Sequence, residues 1–248
     1  MMIVQRMPWA GIVVKGSSST VVIDPLYHVN KRFFGEPREA FFPLGDFGPV
    51  DAVLITHLHT DHFDPRAIVE WYGADVPVYV PADAREEAKK TALTRLTGVS
   101  PGESFCVGEM EIAAAFSADG LGDPQTAWVV QAEGIRIIHC GDTLWHGQWW
   151  NIARTFGAFD AAFLPINGAV IQDPDLTPSG EPLCMTPEQA VSAAVVLGAK
   201  QLIPIHYGAF HHPPAYQQTE RMMERLHAAA GARGVSVRVL EPKEQAEW

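Results

Sequence analysis

The chain is short of cysteine, of positive charge and of long apolar runs, and each shortage removes a class of protein. Cys106, Cys140 and Cys184 are its only cysteines. They are odd in number, widely spaced and without a Cys-x-x-Cys pair, which argues for reduced thiols in a cytoplasmic protein rather than a disulfide framework. Lysine and arginine total 18 against 29 aspartates and glutamates, a net charge of −11 with histidines neutral. That balance, with no basic run, disfavours a nucleic-acid backbone as partner. No apolar run approaches the roughly 20 residues of a membrane span. Met1 to Trp9 lacks the apolar stretch and cleavage site of a secretory signal. Repeats, low-complexity tracts and linkers are also missing, so residues 1–248 are read as one domain. Hydrophobic residues at 47% against 19% charged support a sizeable core and exclude bulk disorder. The expectation is an acidic cytoplasmic protein, with a small molecule as its partner, no nucleic acid and no membrane; its oligomeric state is not readable.

What the chain does have is His57-Leu58-His59-Thr60-Asp61-His62, directly after the apolar run Ala52 to Ile55. A strand ending in such a cluster sets its side chains down in a loop at a sheet edge. His57 and His59 can reach one ion, while Asp61 and His62, further along the loop, suit a second. Imidazole nitrogen with carboxylate oxygen suits zinc, manganese or iron; calcium and magnesium want mostly oxygen. Six residues cannot close two metal shells, so further donors are sought at other strand ends. Ile137-Ile138-His139-Cys140-Gly141-Asp142 offers Asp142, whose two oxygens can bridge cations. Leu202-Ile203-Pro204-Ile205-His206 offers His206.

Around these motifs, Gly11–Gly16 and Thr20–Asp24 read as a hairpin, and residues 28–49 as a long aromatic loop of the kind that forms lids. Asp64-Pro65 opens a helix to Tyr72. A strand is expected at 76–80, a helix at 82–96, and strands at 111–116, 126–131 and 135–139. A helix over 147–156 and a strand over 161–164 follow. Thr186-Pro187-Glu188-Gln189 is a capping box opening a helix to about Leu197. A strand at 201–205, a helix at 214–230 and a strand at 235–240 complete the order. Two successive sets of strands followed by helices favour two sheets face to face with helices outside.

In this order the motifs resemble the metallo-β-lactamase superfamily: paired N-terminal strands, Asp24, His-x-His-x-Asp-His, Gly141-Asp142-Thr143 and a late His206. The stretches Leu164-Pro165-Ile166-Asn167-Gly168 and Met185 to Ala190 look closer to the branch holding ascorbate-phosphate lactonase. The resemblance implies a four-layer αββα sandwich in the α/β (α+β) class, with a dinuclear site at one edge. It assigns His57 and His59 to a first metal and Asp61, His62 and His206 to a second, with Asp142 between them. The chain departs from the family in having no histidine between His62 and His139; Asp119 stands near where one is expected. Three arrangements are open: Asp119 replaces the imidazole, water or His139 fills the gap, or one metal suffices. A turn-forming Asp119 is the plain alternative.

Such a site supports hydrolysis, because the pKa of water on these ions falls to roughly 7. Asp61 would orient the hydroxide, and the substrate would be a small ester, lactone or phosphate-bearing metabolite. One or two ions are expected, zinc or manganese first and iron next; a carboxylate at 119 tilts the choice toward manganese or iron. His139, His146, His211 and His212 are spare proton carriers. His211, His212, Asn167 and Tyr207 are candidates for substrate contact, and Trp145, Trp149 and Trp150 for a pocket wall. A metal-binding sensor without turnover and a mononuclear iron oxidoreductase of the same fold are the other readings.

Overall fold

Alternation of apolar residues dictates the layers. In a strand, successive side chains face opposite sides of the sheet, and here nearly every position is apolar, so both faces must be covered. The computed structural model describes residues 1–248 and shows how. The first sheet takes β1 (Ile3–Arg6), β2 (Ile12–Lys15), β3 (Thr20–Ile23), β4 (Ala52–Leu54), β5 (Val78–Pro81) and β6 (Leu96–Val99). The second takes β7 (Ser104–Val107), β8 (Met110–Phe116), β9 (Thr126–Ala132), β10 (Ile135–His139) and β11 (Ala161–Pro165). After the two-residue β12 (Val170–Ile171) comes β13 (Gln201–Ile205), which joins this second sheet. A short β14 (Tyr216–Gln217) pairs with β12, and β15 (Gln245–Glu247) returns to the outer edge of β1.

Val21 and Ile23 of β3, Ala52 and Leu54 of β4, Trp128 and Val130 of β9, and Ala161 and Phe163 of β11 meet in one core between the sheets. The intervening Val22 and Val53 face a second cluster, with Ala67 and Ile68 of the helix α2 (Pro65–Tyr72). Val129, Ala162 and Leu164 face a third, with α4 (Trp149–Phe156), α5 (Pro187–Leu197) and α6 (Met222–Arg233). The result is the expected α/β arrangement of two sheets between outer helices. No helix is long and apolar enough to cross a membrane.

The expected helix caps form. Asp64 accepts from the Ala67 amide with Pro65 in the first turn, and Thr186 and Gln189 make the reciprocal capping box. The helix expected over 82–96 does not. A 3-10 turn at Ala82–Ala84 and α3 (Arg85–Ala88) are all that forms. The Thr91 and Thr94 hydroxyls bond the carbonyls of Ala88 and Ala74, and Leu96 and Val99 are drawn into a parallel strand beside β5. The helix expected at 214–230 starts at Met222, because Tyr216 and Gln217 pair with β12. Residues 235–240 hold a single bridge, Leu202 to Val237, while β1, β7 and β15 lie where no strand was expected. The aromatic loop 28–49 is anchored by α1 (Lys31–Phe34) and a 3-10 turn at Leu44–Phe47, with Phe34, Leu44 and Phe47 buried.

Thr186→Ala removes the side-chain half of the α5 cap and should lower stability by about 1 kcal/mol. A reduced urea midpoint with unchanged slope would register it.

Candidate metal centre

β3 and β4 run parallel, so their C-terminal ends lie side by side. Asp24 leaves β3 with a left-handed backbone, φ 47°. Its buried carboxylate accepts the Thr56 amide at 2.8 Å, the Thr56 hydroxyl at 2.6 Å and a proton from His62 Nδ1 at 2.7 Å. The Thr56 hydroxyl, its own proton given to Asp24, accepts from His57 Nδ1 at 3.0 Å. Both imidazoles therefore commit an Nδ1 proton to these bonds and turn Nε2 away from the strands.

The second sheet supplies the facing donors from the ends of β10 and β13, which flank β11 in parallel. Asp142 follows Gly141, whose φ of 62° and lack of a side chain are both required: a Cβ there would stand 2.9 Å from Thr56 Oγ1. His206 follows β13, also with a left-handed φ of 56°. His57 Nε2 lies 3.6 Å from Asp142 Oδ1, His206 Nε2 lies 3.3 Å from Asp61 Oδ2, and His62 Nε2 lies 3.7 Å from the same oxygen.

Asp119, in the turn after β8, does two things. Its Oδ2 accepts the Leu121 and Asp123 amides, making the turn, while Oδ1 stands 3.6 Å from His59 Nδ1. His59 Nε2 is tied to Asp123 at 2.9 Å, which leaves Nδ1 on the cluster side. Donor atoms of His57, His59, Asp119 and Asp142 all lie within 4.8 Å of one another, as do those of His62, Asp142 and His206, and of His57, Asp61 and His62. His139 is not available: Nε2 donates to the Ala10 carbonyl at 2.7 Å and Nδ1 accepts the Gly141 amide.

The decisive observation is what these atoms lack. Nε2 of His57, His62 and His206 and Oδ1 of Asp142 are buried and have no hydrogen-bond partner. Buried polar atoms without partners are costly and uncommon. Four pointing at one another fit a cation, and their chemistry is that of a divalent transition metal. Burial also pushes Asp142 up to about 7 and, outweighing the pull of Asp61 and Asp24, holds His206 down at about 4. Burial opposes a proton on His62, yet Asp61 and Asp24 outweigh it and raise that group to about 9. A cation entering the cluster therefore displaces protons.

A pocket of about 360 Å³ opens onto the cluster, with Phe33, Phe34, Leu58, Leu121, Ile171 and Leu183 around His59, Asp61, Asp119, Asp142 and His206. Of the residues expected at the substrate, the structure brings none to its wall. Tyr207 packs under the Arg6 guanidinium, 5.3 Å away. His211 accepts the Gln218 amide and His212 donates to the Phe33 carbonyl, so both are tied into loop structure. Asn167 is buried behind the wall, against Cys184 and Tyr216. Trp149 is buried in α4 with His146 stacked on it, and Trp145 and Trp150 face solvent. Two participants were missed. Trp9, with φ 62°, donates Nε1 to Asp61 Oδ2 at 3.1 Å, and Tyr216 lines the pocket. The Pro8-Trp9-Ala10-Gly11 turn was the one available signal for the former.

An αββα sandwich with histidines and aspartates gathered where the parallel strands of both sheets end defines a metallo-β-lactamase-type site. The profile described as a beta-lactamase superfamily domain matches residues 19–207. A UPF0173 metal-dependent hydrolase of Pelotomaculum thermopropionicum is 30% identical over 96% of both chains. One of Rubrobacter xylanophilus is 28% identical over 91% of this chain and 87% of its own. The metallo hydrolase Igni18 of Ignicoccus hospitalis superposes with a TM-score of 0.75 at 21% identity, over 100% of this chain and 99% of its own. The chain belongs to the metallo-β-lactamase superfamily and, within it, to the family of these metal-dependent hydrolases.

Asp24→Asn should weaken metal binding about 10- to 100-fold, since it loosens His62 and removes the charge behind it. Chelator competition measures this, and an unchanged affinity would count against the orienting role.

Proposed function

We propose that the chain hydrolyses a small ester, lactone or phosphate-bearing metabolite with one or two divalent ions held in the cluster. His57, His59 and Asp119 hold the first and Asp61, His62 and His206 the second, with Asp142 between them. The observation that carries this reading is the convergence of three orphaned imidazole nitrogens and an orphaned carboxylate oxygen in the interior. Ions so held acidify water and polarise a carbonyl or phosphoryl oxygen.

The protein's own groups supply orientation. Trp9 fixes Asp61 Oδ2, so Asp61 meets the pocket in one orientation, ready to align the attacking water and accept its proton. His57 and His62 cannot turn, because Thr56 and Asp24 hold their Nδ1 protons. The apolar walls keep bulk water from the reacting group and strengthen every interaction inside.

Asp119 favours manganese or iron over zinc in the first position, carboxylate being the harder donor. It also removes the vacancy on which a sensor without turnover would rest. The same hardness favours one other reading, iron-dependent oxidation, recognisable by iron content with oxygen consumption. A small molecule, rather than nucleic acid, fits an acidic mouth of this size.

His59→Ala should lose metal from the first position and lower kcat/KM by about 100-fold or more. Asp119→His should keep the metal and shift preference toward zinc. Elemental analysis with ester, lactone and phosphodiester assays tests both. Metal-free wild-type protein of undiminished activity would end the proposal.

A further inference from the structure

The pocket wall contains no lysine or arginine, the side chains that bind phosphate and carboxylate groups by charge-assisted hydrogen bonds. The cluster does not make up for them. Four positive charges from two divalent ions are matched by Asp24, Asp61, Asp119 and Asp142. Asp123, bonded to His59, and Asp173, at the wall, then leave the mouth negative. A histidine in place of Asp119 would have left a positive charge over; this chain's aspartate cancels it.

Behind the wall runs a line of hydrogen bonds with a definite direction. A His206 that turns a bare Nε2 to the cluster carries its proton on Nδ1, 3.9 Å from the Cys184 sulfur. Cys184 donates to Asn167 Oδ1, and Asn167 Nδ2 donates to the Tyr216 hydroxyl oxygen at 2.8 Å. Each group donates a hydrogen bond to the next, so the Tyr216 O–H is the end of the line. Its oxygen accepts from Asn167 and its proton has no acceptor in the protein. Tyr216 is 5% exposed and is one of the residues of the pocket wall, as are His206 and Asp61.

We infer that the pocket takes an uncharged acyl compound with an apolar body, an ester- or lactone-like carbonyl rather than an anion, and that the Tyr216 hydroxyl donates to its carbonyl oxygen. The inference rests on the pocket being the substrate site of the hydrolase. It assigns Asn167 and Cys184 to holding Tyr216 in place.

The test compares two probes of similar shape on the metal-loaded protein by calorimetry: phenylacetamide, neutral and unreactive, and the anion phenylphosphonate. Wild type should bind the amide more tightly. Tyr216→Phe should weaken the amide by about tenfold, because the carbonyl loses its donor. The same variant should lower kcat/KM for a neutral aryl ester by about tenfold or more, with metal content unchanged. Asp173→Lys, at a half-exposed position, should strengthen phenylphosphonate binding, and added salt should erase the gain. Tighter binding of phenylphosphonate than of the amide by wild type would overturn the inference. So would a Tyr216→Phe variant whose amide affinity stays within about twofold of wild type, or an Asp173→Lys variant with unaltered phosphonate affinity. Amide binding that depends on Tyr216, with no turnover of any ester, lactone or phosphodiester, would overturn the hydrolase reading and leave this one standing.

Discussion

The buried carboxylate of Asp24 governs the arrangement of everything around it. A lone carboxylate in the interior is strongly unfavourable, and this one is 1% exposed. Three donors satisfy it: the Thr56 amide, the Thr56 hydroxyl and His62. Hydrogen bonds to a charged group contribute about 1.5–3 kcal/mol each, so the loop after β4 has one strongly preferred seat. The same bonds settle two tautomers, that of His62 directly and that of His57 through Thr56. With the Nδ1 protons committed, the Nε2 lone pairs have only the space between the sheets to face. Asp24 touches no substrate, yet it decides which atoms the interior of the site presents.

The fold puts that space where both sheets can reach it. Parallel strands end on the same side, and each sheet contributes a parallel set, β3 and β4 in one and β10, β11 and β13 in the other. The two rims are tied together: the Thr126 amide donates to the Thr56 carbonyl at 2.9 Å, and Gly141 lies directly against the Thr56 side chain. Thr56 is thus shared between the first sheet, whose strand β4 it follows, and the second, which leans on it. Trp9, Asp24 and His206 all hold left-handed backbone at this rim. Strained conformations of that kind persist where surrounding contacts over-determine them, and they collect at functional sites.

Much of this was legible because chemistry-bearing residues in a short span admit few uses. His57, His59, Asp61 and His62 declared themselves, and Asp142 and His206 became credible as the next strand ends. The layers were legible in the order of strands and helices, and α2 and α5 in their caps. What escaped depends on distant partners. Tyr207 and His211 adjoin His206 in sequence, but β13 ends there, and the chain turns them toward Arg6 and Gln218. Tyr216 reaches the pocket instead through pairing with β12, which no local pattern announces. The 82–96 segment has helix-forming residues in abundance, yet the edge of β5 claims Leu96 to Val99, and tertiary pairing outweighs propensity. At Asp119 a turn does not exclude a place at the cluster. One carboxylate oxygen makes the turn, and the other faces His59.

The orphaned atoms connect folding to function. The sandwich must hold three unpartnered imidazole nitrogens and an unpartnered carboxylate oxygen together in the interior, which opposes folding. Nothing in the sheets needs them: the cores between and outside the sheets are apolar and continuous without the rim. The cluster is therefore a cost that the rest of the fold sustains, and a cation that binds only the folded chain returns it as stability. His57, His59 and Asp119, with the shared Asp142, gather two carboxylates close together in the empty fold, so the group has much to gain from a positive charge. A histidine at position 119 would have eased that repulsion but left a bare positive charge once the ions were in. Asp119 makes the opposite exchange: it adds to the repulsion in the empty cluster and cancels charge when cations are held.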